Sequence, residues 1–252
     1  MARLEEKVAL ITGGESGIGL ATARLFVAEG ARVHLAGLAK DRLEAAAAGL
    51  GPAAASWSVT DVTEEDQVAD ALRQAAGRFG RLDVLVSNAG IAGDRGLITE
   101  YPTDVFRRVL DVHVLGAFLV LKHGLPLLSD GGSVIITSSV VGLTSAPGIC
   151  AYATAKHAQV GLMRTAAKEV AGRGIRVNTL HPGPTSTAFQ EAIEVAATGA
   201  PPAEAARAFD AMIPLGRHAS PEEIARSVLY LASPDSSFVT GSTLTVDGGM
   251  HT

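Results

Sequence analysis

The sequence is poor in cysteine and aromatic residues, and each shortage excludes a class of protein. Among 252 residues there is one cysteine, Cys150, and aromatic residues make up 4% of the chain. A single cysteine excludes an internal disulfide and a cysteine-rich metal site. Histidine, aspartate and glutamate also lack metal-site spacing, so the sequence predicts no metal.

Long apolar runs and blocks of like charge are missing too. The most apolar stretch, VLGAFLVLKHGLPLL (114–128), is interrupted by Lys122 and Pro126 and cannot supply the roughly 20 apolar residues that span a bilayer. The opening MARLEEKVALITGG has two glutamates and no long apolar run, so we expect no secretory signal. A net charge of −5, spread along the chain, disfavours nucleic acid and anionic membranes as partners. We therefore expect a cytoplasmic protein.

What the sequence does contain is an alternation of short apolar runs and helical patterns. Strands are predicted at 7–13, 31–37, 55–61, 82–90, 131–139, 174–183 and 241–249. Helices are predicted over about 17–29, 63–79, 103–128 and 151–171. Asp41 is interpreted as the cap of a further helix, and Thr63 with Asp66 resembles a capping box. The alternation predicts one α/β domain over 1–252, with a doubly wound, mostly parallel sheet and helices on both faces.

The segment at about 184–215 departs from this alternation. It is rich in alanine and has a Gly-Ala-Pro-Pro break in its middle. One interpretation is a lid over a substrate. The other is a pair of peripheral helices that pack on a neighbouring subunit.

A glycine-rich loop, TGGESGIG (12–19), follows the first strand directly and opens the first helix. Glycines here allow a tight turn and close approach of the backbone to a pyrophosphate, which the helix N-terminus then faces. The alternative is a plain strand–helix turn. The position within the first strand–helix–strand unit favours the phosphate loop.

The end of the second strand bears on the choice of cofactor. A carboxylate there binds the adenosine ribose diol, whereas a basic group accepts a 2′-phosphate. Gly37 stands where the carboxylate is sought, so NADP is not repelled there. Lys40 could reach a phosphate, but Glu15 in the glycine loop would oppose it. The sequence leaves NAD and NADP both open and leans slightly to NADP.

The stretch YATAK (152–156) places Tyr152 and Lys156 one above the other on a helix face. A phenol beside an ammonium can act as a proton-transfer pair, but it can also be a surface pair of little consequence.

Taken together, these motifs resemble the short-chain dehydrogenase/reductase family in its single-domain form. The resemblance covers essentially the whole chain and also includes SNAG (87–90), TSS (137–139), RVNTLHPGPTST (176–187) and TGSTLTVDGG (240–249). It implies a Rossmann-type parallel sheet of seven strands and an NAD(P)-dependent interconversion of an alcohol and a carbonyl compound. It also implies a homo-oligomer, a tetramer or a dimer.

The resemblance assigns roles to individual residues. Tyr152 would be the general acid/base, Lys156 its helper, and Ser139 a hydrogen-bond partner of the substrate oxygen. Lys156 and the positive nicotinamide would lower the pKa of Tyr152. Substrate-binding residues would be Ser139, Leu143, Ile149 and Tyr152. Cofactor-binding residues would be Gly13, Glu15, Ser16, Gly17, Ile18, Gly19, Leu38, Asp61, Val62, Asn88, Ala89, Gly90, Tyr152, Lys156, Pro182, Gly183, Thr185 and Thr187.

One departure from the family pattern concerns His113, which stands where the family usually has an asparagine that helps to hold a proton-relay water. His113 either takes over this catalytic role, or leaves it to its backbone carbonyl, or is a buried structural histidine. Two other functions compete with an oxidoreductase: a non-catalytic dinucleotide-binding sensor, and a lyase or dehalogenase on the same scaffold. The presence of both Tyr152 and Lys156 argues against the sensor, and the intact glycine loop argues against the lyase.

Overall fold

The computed structural model describes residues 2–251, which form a sheet of seven parallel strands. The strands are β1 (Val8–Thr12), β2 (Arg32–Gly37), β3 (Ala55–Val59), β4 (Val84–Ser87), β5 (Ser133–Thr137), β6 (Arg176–Pro182) and β7 (Thr243–Val246). Their order is β3-β2-β1-β4-β5-β6-β7, and every neighbouring pair is parallel. The order reverses between β1 and β4, which opens a crevice at the carboxyl ends of these strands.

The first strand is a buried run of mostly apolar residues, and its packing shows why. Val8 and Leu10 pack into one apolar layer, whereas Ala9 and Ile11 pack into a second. Successive side chains of a strand point to opposite faces, so a sheet covered on both faces needs apolar residues at every position. The sheet therefore lies between two buried layers, as the sequence predicts.

Helices cover both faces of the sheet. Within the described residues they are α1 (Gly17–Ala28), α2 (Lys40–Leu50), α3 (Glu65–Phe79), α4 (Thr103–Leu110), α5 (Gly116–Gly124), α6 (Cys150–Glu169), α7 (Ala188–Thr198), α8 (Pro202–Asp210) and α9 (Pro221–Ala232). Helices α1, α2 and α9 belong to one apolar layer, and α3, α5 and α6 to the other. No helix between residues 2 and 251 has both the length and the apolar character needed to cross a bilayer.

Helix boundaries agree with the sequence in some places and correct it in others. Helix α1 begins at Gly17 as predicted and ends before Gly30, which has φ 86°. Helix α9 was not predicted, although its start carries a clear signal. Ser220 and Glu223 form a capping box there, with Pro221 in the first turn.

Two capping predictions are wrong. The Thr63 hydroxyl donates to a carboxylate oxygen of Asp61 (2.7 Å) rather than capping α3, whose N-cap is Glu64. Asp61 thus competes successfully for the threonine, as aspartate in a turn often does. Helix α2 starts at Lys40, so Asp41 lies in its first turn and does not cap it.

The helix predicted over 103–128 is interrupted. A π-helical turn, Asp111–Leu115, separates α4 from α5. The wider turn inserts an extra residue into the helical repeat, and such turns are frequent at functional sites. His113 lies in this turn and is 1% exposed.

The segment 184–215 is largely helical. It contains α7 and α8, which are separated at the predicted break, where Gly199 has φ 68°.

Candidate active site

A cleft of about 770 Å³ opens at the carboxyl end of the sheet, next to the reversal between β1 and β4. This volume is within the range of about 300–1,000 Å³ that is typical of small-molecule sites. The predicted cofactor-binding residues that line it are Gly13, Glu15, Ser16, Gly17, Ile18, Leu38, Asp61, Val62, Asn88, Ala89, Gly90, Tyr152, Lys156, Pro182, Gly183, Thr185 and Thr187. Ser139 and His113 line the same cleft.

The glycine loop has the backbone that a phosphate loop requires. Gly13 and Gly17 have φ of 64° and 49°, a region that side chains disfavour. Gly19 does not line the cleft, but a Cβ there would overlap the Gly13 carbonyl and lie 2.9 Å from the Asn88 amide nitrogen. The N-cap Ser16 makes no side-chain capping bond, so the first N–H groups of α1 are not capped by it. These features fit a dinucleotide pyrophosphate.

Asn88 ties the two loops at the crevice together. Its backbone N–H donates to the Thr12 hydroxyl (2.9 Å), and its side-chain amide donates to the carbonyl oxygen of Thr12 (3.1 Å). These hydrogen bonds join the end of β4 to the start of the glycine loop.

Tyr152 and Lys156 lie one turn apart on α6 and meet at the inner end of the cleft. The Lys156 Nζ is 5.4 Å from the Tyr152 ring centroid and donates to the Thr137 carbonyl oxygen (2.8 Å). Lys156 is only 3% exposed. It is therefore a buried ammonium beside a phenol and not a surface pair.

Burial shifts the pKa of both groups. Desolvation raises the pKa of Tyr152 to about 12, against the effect of a hydrogen bond with the Ser139 side chain. Desolvation lowers the pKa of Lys156 to about 7. These shifts belong to the protein groups without a cofactor, so the expectation that Lys156 and the positive nicotinamide together lower the pKa of Tyr152 stays a prediction. The lysine is itself desolvated, so its own charge is disfavoured at neutral pH.

His113 packs against the tyrosine from the π turn. The two rings meet edge to face with centroids 5.4 Å apart. The His113 Nε2 lies 2.7 Å from the Ile91 carbonyl oxygen, and its Nδ1 is buried without a hydrogen-bond partner among the described residues. Burial, and secondarily the charge of Lys156, lowers its pKa to about 3, so the ring is neutral at physiological pH.

Gln159 is not among the residues that the sequence predicts for the site. Its side-chain amide donates to the His113 carbonyl oxygen (2.9 Å), which is one of the predicted holders of the relay water. A carbonyl has two acceptor positions, so one remains for a water. The sequence signal that could have identified Gln159 is a polar residue on the mostly apolar, buried face of α6.

Ser139 is held in place through its backbone. Its carbonyl oxygen lies 2.7 Å from the Nδ1 of His181, whose Nε2 is 2.8 Å from the Thr179 hydroxyl. The Ser139 hydroxyl accepts from the Val141 N–H (3.3 Å), which leaves its proton free to donate.

The predicted substrate residues are only partly brought together. Ser139 and Tyr152 line the cleft, whereas Leu143 and Ile149 do not. Both of these are half-buried in the connection between β5 and α6, with Ile149 at the N-cap of α6. Phe189, at the start of α7, lies in the segment that the sequence predicts as a possible lid over a substrate, and it lines the cleft with its ring centroid 6.5 Å from that of Tyr152.

A comparison with known proteins agrees with this geometry. A family model described as enoyl-(acyl carrier protein) reductase matches residues 13–251. The chain belongs to the short-chain dehydrogenase/reductase family.

Several relatives of this reductase-like chain match it over almost its whole length. A 3-oxoacyl-(acyl-carrier-protein) reductase FabG from Thermotoga maritima is 40% identical, with 98% of this chain and 99% of that protein covered. A meso-2,3-butanediol dehydrogenase from Serratia marcescens is 38% identical, with 98% and 95% covered. The crystal structure of a levodione reductase superposes with a TM-score of 0.95 at 36% identity, with 99% of each chain covered.

Membership in the family makes this chain an NAD(P)-dependent oxidoreductase of alcohols and carbonyl compounds. The non-catalytic alternative is not supported, since the relatives are dehydrogenases and reductases. The cleft fits a nicotinamide dinucleotide, as the family implies. In the described part of the chain, no group of three or more histidine, cysteine or acidic side chains is arranged to hold a metal ion.

Proposed function

We propose that this enzyme interconverts a neutral secondary alcohol of modest size and the corresponding ketone, or a related aldehyde, with Tyr152 as general acid/base. The observation that carries the proposal is the convergence of Tyr152, Lys156 and Ser139 at the inner end of the dinucleotide cleft.

In the reduction direction, Tyr152 gives its proton to the substrate oxygen. Its raised pKa keeps the phenol protonated at neutral pH, so the acid is ready. Ser139 donates a hydrogen bond to the same oxygen, a contribution of about 2–4 kcal/mol for one well-placed donor. Hydride is supplied by the reduced nicotinamide when the cofactor is bound.

In the oxidation direction, Tyr152 must first lose its proton. An ammonium at Lys156 stabilises the phenolate, and the pKa near 7 means that this amine both holds and releases a proton in the working range. His113 stays neutral and acts by position, because its ring packs on Tyr152 and its Nε2 faces the Ile91 backbone.

Two further features support a small, neutral substrate. First, the apolar side chain of Phe189 lies near Tyr152 in the cleft. Second, the relatives include enzymes named for butanediol and levodione. Phe189 belongs to α7, which supports a lid function for the segment 184–215. A Phe189→Ala variant should raise the KM for the substrate more than it lowers kcat.

A homo-oligomer in the cytoplasm remains part of the proposal. Phe118 on α5 and Phe238 before β7 are exposed, Phe118 by 44% and Phe238 fully. Large exposed apolar side chains support burial in a subunit interface. Light scattering of the purified enzyme should therefore give the mass of a dimer or a tetramer.

The central test is Tyr152→Phe, which removes the proton donor and keeps the ring. We expect carbonyl reduction to slow by about 10²–10⁴-fold, the usual worth of general acid catalysis. Tyr230→Phe on α9, outside the cleft, is the matched control and should keep wild-type rates. Equal rates for Tyr152→Phe and wild type would overturn the assignment.

A further inference from the structure

The end of β2 lacks a side chain of its own, yet a carboxylate lies there. Gly37 is the last residue of β2, and a Cβ built on it would lie 2.5 Å from both the Cδ and the Oε1 of Glu15. The space that a side chain at 37 would fill is therefore taken by the carboxylate of a residue in the glycine loop.

The carboxylate of Glu15 is held there by a hydrogen bond and has no ion-pair partner among the described residues. Its Oε1 accepts from the Leu38 N–H (3.3 Å), whereas its Oε2 is buried without a hydrogen-bond partner among the described residues. Glu15 lines the cleft, as do Gly37 and Leu38. A buried, unsatisfied carboxylate oxygen is costly, so a hydrogen-bond donor is expected to complete it.

We propose that Glu15 replaces the missing strand-end carboxylate as the acceptor for the adenosine ribose diol and selects NAD over NADP. This inference rests on the proposed function, because it concerns the cofactor of the same site. A diol can donate O–H groups to a carboxylate, whereas the dianionic 2′-phosphate of NADP is repelled by it.

Basic side chains nearby define the competing outcome. Arg24 on α1 and Arg42 on α2 line the cleft, and Lys40 is exposed at the start of α2. None of them pairs with Glu15 among the described ion pairs, so the carboxylate keeps its full effect on a phosphate placed beside Gly37. The proposed preference for NAD is opposite to the slight lean to NADP in the sequence.

The test is calorimetric titration of the whole enzyme with NAD⁺ and, separately, with NADP⁺, in the absence of substrate. The wild type should bind NAD⁺ more tightly by about 10–100-fold, the worth of a charge-assisted hydrogen bond. Glu15→Gln keeps the shape and removes the charge, so the preference should fall by about tenfold or more. Glu44→Gln removes a carboxylate from the exposed side of α2 and should change neither affinity.

Two substitutions at Gly37 test the placement of the carboxylate. Gly37→Ala would displace the Glu15 carboxylate and should weaken the preference for NAD⁺. The backbone φ at residue 37 is not restricted to glycine, so the effect would come from the added methyl group. The double change Glu15→Ser with Gly37→Asp moves the carboxylate to the strand end and should restore the preference. Thermal unfolding of each variant checks that it folds.

The outcomes separate this inference from the function on which it rests. If the wild type binds neither nucleotide, the proposed function fails. If it binds both equally, or binds NADP⁺ more tightly and loses this preference in Arg42→Gln, the function stands and the role of Glu15 is overturned.

Discussion

The two ends of the cleft are built in different ways. At the inner end, Tyr152 and Lys156 come from one turn of one helix, and the lysine is almost fully buried. At the adenosine end, the glycine loop supplies Glu15 and a separate strand supplies the empty position at Gly37. Acid/base chemistry thus depends on local spacing, whereas cofactor choice depends on two segments that meet only in the fold.

The inner end lowers the stability of the fold because its two ionisable groups are buried. Burial shifts the pKa of Tyr152 and Lys156 in opposite directions, and both shifts oppose the charged form. Shifted pKa values of this kind are expected where a group must change its protonation state during catalysis. The two ends should therefore respond differently to substitution, in rate and stability at one end and in affinity at the other.

The largest effect is expected for Lys156→Met at the inner end. Loss of the ammonium removes the support of the Tyr152 phenolate, so kcat should fall by about 10²–10⁴-fold, most strongly for alcohol oxidation. The ratio of NAD⁺ to NADP⁺ affinity should stay at its wild-type value, because the adenosine end is untouched. A large change in that ratio would break the proposed separation of the two ends.

The same variant should be more stable than wild type, by about 1–4 kcal/mol near pH 7, since a buried charge is replaced by an apolar side chain of similar length. The pKa of Lys156 is about 7 in the fold and lies below its unfolded value. The unfolded state therefore binds more protons between these values, and this group makes wild-type stability rise with pH in that window. In urea unfolding, the difference in unfolding free energy between the variant and the wild type should be smaller at pH 10 than at pH 7.

A medium effect is expected for His218→Gln, which lies between α7 and α8. The Nε2 of His218 lies 2.5 Å from a carboxylate oxygen of the buried Glu194 on α7, and its Nδ1 lies 2.7 Å from one of Asp210 on α8. Burial alone would lower the pKa of His218, but hydrogen bonds to both carboxylates outweigh it and raise the pKa. Loss of these bonds should cost about 1–3 kcal/mol in the free energy of unfolding.

The stabilisation that His218 provides through Glu194 and Asp210 should decrease as pH rises. Because the folded pKa lies above the unfolded one, the stabilisation is fully present below the unfolded value and is lost as pH rises through the folded value. Guanidinium unfolding should thus separate His218→Gln from wild type at pH 6 and much less at pH 9. His123→Gln, which removes an exposed pair with Glu65, is the control and should cost at most about 1 kcal/mol.

The smallest effect is expected for Arg108→Ala at the adenosine end. Its guanidinium reaches Asp61 at 3.5 Å, and the Arg108 side chain is half exposed. Exposed pairs contribute about 0–1 kcal/mol, so the cofactor KM should change by less than about fivefold and kcat should not change. A tenfold loss of kcat would show that this end also takes part in the chemical step.

The sequence could predict the features that depend on local spacing. Buried strands such as β1, β4 and β5 follow from apolar runs, and the phosphate loop and the YATAK pair follow from residues within one turn or one loop. Helix α9 could also have been predicted, because Ser220, Pro221 and Glu223 form a helix-start motif that is visible in the sequence.

The remaining features could not be predicted because they arise between distant segments. The carboxylate of Glu15 lies beside Gly37, the Gln159 amide binds the His113 carbonyl, and Phe189 reaches the Tyr152 ring only after the chain has folded. The capping prediction at Thr63 is wrong for a local reason, because the Asp61 carboxylate two residues earlier accepts from the Thr63 hydroxyl and capping propensity alone does not weigh this competitor.

The π turn at Asp111–Leu115 has a consequence for changes in chain length. Each residue turns a helix by about 100°, so the deletion of one residue in this turn would rotate α5 by that angle relative to α4. Leu119, Val120 and Leu121, which α5 buries against the sheet layer, would then face a different neighbour, and His113 would leave Tyr152. An insertion or deletion in this stretch would therefore displace α5 and the active site together.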